Sequence, residues 1–179
     1  MLIRTHTAEE TEALGRELAR VRPDAGELAV IYLTGELGAG KTTFARGVLR
    51  ALGVTTAVRS PTYTLLELYE LGALTVLHID LYRLRDAAEL EPLGLREWAR
   101  PGTLWLIEWP ERGGGRLPSA DLTLTFTVDA PAHDIALKPG SEAGKAWLGR
   151  LDLAGRGGAR AHVLSGGSAR QVENAAAAP

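Results

Sequence analysis

The sequence predicts an α/β fold: a mixed, mostly parallel central sheet with flanking helices and some antiparallel strands. Three features of the chain predict it. The apolar run Leu28-Ala29-Val30-Ile31-Tyr32-Leu33 fits a short strand buried on both faces. A glycine-rich stretch, Gly35 to Thr42, follows it and opens a helical pattern with Phe44, Val48, Leu49 and Leu52 on one side and Gly53 as a stop. Two later apolar runs, Val76 to Ile79 and Leu104 to Ile107, each end in a carboxylate, Asp80 and Glu108.

The remaining elements follow in chain order. Thr7 to Arg20 reads as a helix: Thr7 and Glu10 have capping-box spacing, and Leu14, Leu18 and Val21 form one apolar stripe. Pro23-Asp24-Ala25-Gly26 is a turn before the first buried strand. After the glycine-rich stretch and its helix, Val54 to Val58 reads as a weak strand. Leu65–Glu70 and Leu74–Leu81 read as a hairpin joined by Leu71-Gly72-Ala73. Asp86–Leu90 and Leu93–Arg100 read as two short helices, and Thr103–Trp109 as an apolar strand that Pro110 ends. Gly113-Gly114-Gly115 marks a mobile loop. Leu122 to Val128 alternates apolar and polar residues, as a half-exposed antiparallel strand does, and His133–Leu137 can pair with it. Ser141 caps a closing helix that runs to Leu153.

Composition narrows the function classes. A chain of 179 residues with 45% apolar content supports one globular domain with a sizeable core. The net charge of −2 gives no global pull toward nucleic acid or an anionic membrane. With no cysteine there is no disulfide partner and no thiolate metal site, and four scattered histidines argue against structural zinc. Met1 to His6 lacks the apolar core of a signal peptide, and no run is long enough to span a bilayer, so a cytoplasmic protein without a membrane partner is expected. Beyond Ala154 the composition turns to glycine, serine and alanine. Residues 1–154 are therefore expected to form the folded domain and 155–179 a flexible tail, with docking of the tail on a partner as the alternative.

Gly35-Glu36-Leu37-Gly38-Ala39-Gly40-Lys41-Thr42 matches G-x-x-x-x-G-K-[ST], the phosphate-binding P-loop. Glycines let backbone N–H groups approach phosphate oxygens, and the helix that follows presents its positive end to the same anion. Lys41 can reach the β- and γ-phosphates, and the Thr42 hydroxyl can ligate Mg²⁺. The motif lies between a buried strand and a helix, where a chance glycine-rich turn has no reason to be. It makes the expected fold the three-layer P-loop nucleoside-triphosphatase fold, with a nucleoside triphosphate and Mg²⁺ as expected ligands.

Such an enzyme needs a carboxylate at the end of a second buried strand. Asp80 and Glu108 both qualify, and either can orient water. Ser60-Pro61-Thr62-Tyr63-Thr64 lies where triphosphate switches place a responsive loop, or is a turn between strands. His78 alternates with Asp80 and can orient Asp80 or the loop; the bland reading is a core histidine. Arg83 is a candidate for steadying phosphate charge, and Trp109 for covering the nucleotide, against a surface arginine and a packed tryptophan.

Together these segments resemble the bacterial TsaE family, formerly YjeE. The carrying stretches are Gly35–Thr43, Ser60–Leu65, His78-Ile79-Asp80-Leu81-Tyr82-Arg83-Leu84 and Glu108-Trp109-Pro110-Glu111, with Glu89–Glu97 also similar. The resemblance covers roughly residues 5–150. It departs at Ile79, where phenylalanine is usual, and at Glu36, where aspartate is common. It implies an ATPase that serves the TsaD–TsaB heterodimer in making N6-threonylcarbamoyladenosine beside the anticodon of tRNAs reading codons that begin with A. TsaD transfers the threonylcarbamoyl group, so contact with tRNA is indirect. By resemblance Gly35 to Gly40 cradle phosphate, Lys41 binds it, and Thr42 and Glu108 hold Mg²⁺. Thr43 and Asp80 assist nucleotide binding and hydrolysis, and Thr7 or Thr11 touches the adenine side. The Ser60–Thr64 loop and Trp109 lie near the nucleotide and the TsaD–TsaB surface. The rival readings are a small-molecule P-loop kinase and an ATP-gated binding switch that needs no turnover.

Overall fold

The structure is a computed structural model describing residues 1–24, 26–151 and 162–163. Its strands are β1 (Leu2–Thr5), β2 (Ala29–Gly35), β3 (Leu66–Leu71), β4 (Leu74–Asp80), β5 (Thr103–Glu108), β6 (Leu122–Asp129), β7 (Ala132–Pro139) and β8 (His162–Val163). Its α-helices are α1 (Ala8–Arg20), α2 (Lys41–Ala51), α3 (Leu95–Trp98) and α4 (Glu142–Arg150). The strands form one sheet in the order β3-β4-β5-β2-β6-β7-β1-β8. The four central strands run parallel: β4 with β5, β5 with β2 and β2 with β6. The flanks are antiparallel, as in the expected hairpin of β3 and β4 and the pairing of β6 with β7.

Alternation along the central strands sends side chains into two cores, one on each face of the sheet. Leu104 and Leu106 of β5, with Ile31 and Leu33 of β2, join Leu14, Leu18, Phe44, Val48, Leu49 and Trp147 of α1, α2 and α4. Trp105 and Ile107 face the other way and pack with Leu77, Ile79, Leu90 and Leu95 under the 3₁₀ turn Ala87–Leu93 and α3. The result is three layers with the sheet in the middle. Both faces of β5 are buried along its whole length, as its unbroken apolar run requires. Among the described residues no helix is long and apolar enough to cross a membrane.

Several elements differ from expectation. Leu2–Thr5 is a strand, paired antiparallel with β7; four residues carry too little pattern to announce it. Val54–Val58 is not a strand: Val54 and Val58 instead turn into the core beside α1 and α2. The two short helices become the 3₁₀ turn Ala87–Leu93 and the single turn α3, because Pro92 and the left-handed Gly94 prevent a longer helix. The glycine loop after Pro110 folds into two 3₁₀ turns, Pro110–Arg112 and Gly114–Arg116. β5 ends at Glu108, one residue early, because Trp109 turns left-handed at φ 59°. Of the expected tail, His162 and Val163 pair with Arg4 and Ile3. The rest lies outside the described residues.

Candidate functional site

All four parallel strands point their C-terminal ends the same way, and ligands in open α/β sheets bind at that edge. β2 delivers the P-loop there. Gly35 adopts φ 131°, and a Cβ on it would lie 2.3 Å from the Phe126 carbonyl oxygen on neighbouring β6, so only glycine lets the chain leave the sheet here. Gly40 caps α2 in a left-handed conformation, and no side chain caps that helix. Its first N–H groups are left to meet an anion. Lys41 is 4% exposed. Its ammonium donates to the carbonyls of Gly35 (2.6 Å) and Glu36 (2.7 Å) and lies 4.1 Å from the Trp109 ring centre. Burial pushes its pKa below the ordinary lysine value, against the opposing pull of Glu108, Asp80 and Glu111.

The two carboxylates stand side by side, Asp80 and Glu108 being partners in the parallel register of β4 and β5. Both are almost fully buried, at 4% and 2% exposure. Thr42 Oγ1 lies 2.9 Å from both Glu108 oxygens. His78 Nε2 lies 2.9 Å from Glu108 Oε1. The expected partner of His78 was Asp80 or the loop; the structure gives it Glu108, because His78 stands opposite Leu106 and Glu108 is then its diagonal neighbour on the same face, within reach of a long side chain. Asp80 has a different set of donors. The Ser60 and Thr62 hydroxyls donate to Oδ2, and the Tyr82 N–H donates to Oδ1 at 2.9 Å. The hydroxyl-rich loop is thereby fastened to the end of β4.

A cleft of about 400 Å³ opens over these groups. Leu37, Gly38, Gly40, Lys41, Thr42 and Thr43 line one side, and Ser60, Thr62, Asp80, Tyr82, Arg83, Glu108 and Trp109 the other. This volume is in the range of small-ligand sites. Arg83 stacks on the ring of Tyr63, 4.3 Å from its centre. Tyr63 itself is 84% exposed. Trp109 packs against Tyr82, with ring centres 5.1 Å apart. Thr11 stands behind the P-loop rather than in the cleft: its hydroxyl meets Thr5 Oγ1 at 2.9 Å and the Thr7 carbonyl at 3.2 Å. Its methyl faces Gly40. Gly35, Glu36 and Ala39 shape the loop without lining the cleft.

The oxygen donors here suit a hard cation. Thr42 Oγ1 and the Glu108 oxygens are separated by the distance that adjacent ligands of an octahedral Mg²⁺ require, about 2.9 Å for bonds of about 2.0–2.1 Å. Among the described residues no group of three or more His, Cys, Asp or Glu could enclose a metal. Mg²⁺ at a nucleotide site does not need one, since it takes one or two carboxylates and completes its shell with phosphate and water. One site residue had no signal in the sequence. His133 of β7 donates from Nδ1 to the Ala39 carbonyl at 2.9 Å and ties the P-loop apex to a strand 94 positions away.

The family model described as "Threonylcarbamoyl adenosine biosynthesis protein TsaE" matches residues 5–135. The tRNA threonylcarbamoyladenosine biosynthesis protein TsaE of Haemophilus influenzae is 44% identical over 116 residues, 65% of this chain and 73% of that protein. The protein of the same name from Bacillus subtilis is 40% identical over 123 residues, 69% of this chain and 75% of the relative. Among solved structures, Bacillus YdiB superposes with a TM-score of 0.69 at 28% identity, covering 84% of this chain and 93% of that one. With its P-loop, paired carboxylates and sheet order in place, the chain belongs to the TsaE family of tRNA threonylcarbamoyladenosine biosynthesis proteins.

Proposed function

We propose that the chain binds ATP with Mg²⁺, hydrolyses it to ADP and phosphate, and uses this activity to support TsaD–TsaB in forming N6-threonylcarbamoyladenosine on tRNA. The observation that carries the reading is the convergence of Lys41, Thr42, Asp80 and Glu108 on one cleft at the C-terminal edge of the parallel strands. Phosphoryl transfer asks a protein for positioning and charge neutralisation rather than covalent chemistry. The P-loop amides and the Lys41 ammonium supply positive charge for the β- and γ-phosphates. To do so, Lys41 exchanges the Gly35 and Glu36 carbonyls for phosphate oxygens. Thr42 and Glu108 hold Mg²⁺, which when bound neutralises charge on the phosphate oxygens. Thr43, at the third position of α2, donates to the same anion.

Asp80 is the residue best placed to sense the γ-phosphate, because the Ser60–Thr64 loop is fastened to it by two hydroxyls. Water orientation falls to Glu108 or Asp80, directly or through the cation. Trp109 and Tyr82 close the side of the cleft beside Lys41, and Arg83 is held at its rim by Tyr63. Reconstitution with TsaD, TsaB, tRNA and Mg²⁺–ATP tests the proposal. Modified adenosine should accumulate over several turnovers with the wild-type chain and stop early with Lys41→Ala or Glu108→Gln. Full multiple-turnover modification by Glu108→Gln would refute a need for hydrolysis and favour a binding switch. Phosphate appearing on added small acceptors rather than in water would favour a kinase.

A further inference from the structure

We propose that His78 is the positioning residue of the metal-side carboxylate, holding Glu108 through an Nε2–H···Oε1 hydrogen bond so that it faces Thr42. The proposal rests on the Mg²⁺–nucleotide reading above. His78 lies in the interior of β4, between Leu77 and Ile79, and is 0% exposed. On its own face of the sheet the neighbours Val76, Leu104 and Leu106 are core residues. Apart from Glu108, 2.9 Å away, the ring has no hydrogen-bond partner among the described residues: Nδ1 is sealed from solvent and unpaired there.

These contacts fix the chemistry of the ring. An ionised carboxylate only accepts, so the nitrogen facing Glu108 carries the hydrogen. Nδ1 meets neither donor nor acceptor among the described residues, so the bond to Glu108 is the one polar contact that orients the ring. An unpaired buried nitrogen is a penalty that a leucine would not carry, and packing alone supplies no reason for histidine at this position. The return is at Glu108. Its carboxylate is gripped from two elements, by His78 on β4 and by Thr42 at the start of α2. With Oε1 fixed by the ring, the carboxylate plane cannot turn away from the Thr42 hydroxyl. Partners of this kind orient metal ligands, and their loss typically weakens metal affinity about 10–100-fold.

The test uses the full-length chain and two variants, His78→Leu, which removes the donor, and His78→Gln, whose amide can restore it. ADP binding is measured by calorimetry in EDTA and across a MgCl₂ series. His78→Leu should raise the Mg²⁺ concentration for half-maximal tightening about tenfold or more while leaving affinity in EDTA unchanged, and His78→Gln should recover most of the loss. In ATP hydrolysis the leucine variant should lose kcat with little change in KM. In wild-type protein, ¹⁵N NMR of the ring should show the Nε2–H tautomer. Unaltered Mg²⁺ dependence in His78→Leu, an equal loss of ADP affinity in EDTA, or an Nδ1–H ring would overturn the proposal. Wild-type binding indifferent to Mg²⁺ would instead overturn the underlying metal reading, and the two failures are separable because the second shows in the wild type alone.

Discussion

At the scale of single residues, the P-loop is held by contacts that carry their own consequences. Lys41 is a buried ammonium whose pKa burial lowers from 10.5. Just below 10.5 the unfolded chain therefore binds a proton that the folded chain has released, and Lys41 makes stability rise with pH through that window. Lys41→Met removes this slope. Urea midpoints compared between about pH 8 and about pH 10.5 should show the wild type gaining on the variant as pH rises. A constant difference would disprove the linkage. His133 is the second such contact. His133→Ala strips the Ala39 carbonyl, on a residue 1% exposed, of its imidazole donor. An unsatisfied buried acceptor costs about 1–3 kcal/mol, so denaturant unfolding should register a loss in that range. Nucleotide affinity should fall as well, since the loop apex loses its anchor to β7. His133→Asn, which can still donate, should recover part of both.

At the scale of elements, α1 and α2 cross with almost no room between them. A Cβ on Gly47 would lie 2.2 Å from the Glu12 carbonyl oxygen, and one on Gly15 would lie 2.4 Å from that of Phe44. Glu12 locks the crossing with Arg46 at 2.7 Å and Arg50 at 2.8 Å. Gly47→Ala must push backbone against backbone and should destabilise by about 3 kcal/mol, the upper end for an overpacked core, with a parallel loss of nucleotide binding because α2 begins at Lys41. Chemical unfolding and ADP calorimetry on the one variant check both effects. Legibility in the sequence divides along the same line. The P-loop, its strand and its helix were readable because their signals are local: glycines at fixed spacing, an apolar run and a 3.6 period. Ser141 is the N-cap expected of it, bonding the Gly144 N–H at 3.0 Å. The Thr7 cap is half as expected: Thr7 accepts from the Glu10 N–H, but Glu10 reaches the His6 N–H instead of the cap residue. What was not readable depends on pairing at a distance. β1 exists because β7 offers it a ladder, and Val54–Val58 is no strand because the core takes its valines. The Glu108 partner of His78 follows from the register of β4 against β5, which no spacing within either strand encodes.

At the scale of the molecule, the site gathers residues from Leu37 to Trp109, drawn from the P-loop, α2, the Ser60–Thr64 loop and the ends of β4 and β5. A ligand in that cleft bridges the two halves of the parallel core, so its binding energy should appear as global stability rather than local ordering. Ligand at about 100 times its Kd adds about 2.7 kcal/mol to the folded state. For a domain of this size each kcal/mol moves Tm by about 2–4 °C, so Mg²⁺–ADP at that level should raise Tm by about 5–11 °C. Three comparisons give the shift its meaning. Lys41→Ala should abolish it, because the phosphate loses its principal cation. Glu108→Gln should keep a shift in ADP with EDTA but gain little from added Mg²⁺, because the metal-side oxygens are weakened while the P-loop is intact. Thr11→Val should keep the full shift, because Thr11 lies behind the loop with its hydroxyl already bonded to Thr5. A normal Mg²⁺–ADP shift in Lys41→Ala would place the nucleotide somewhere other than this cleft.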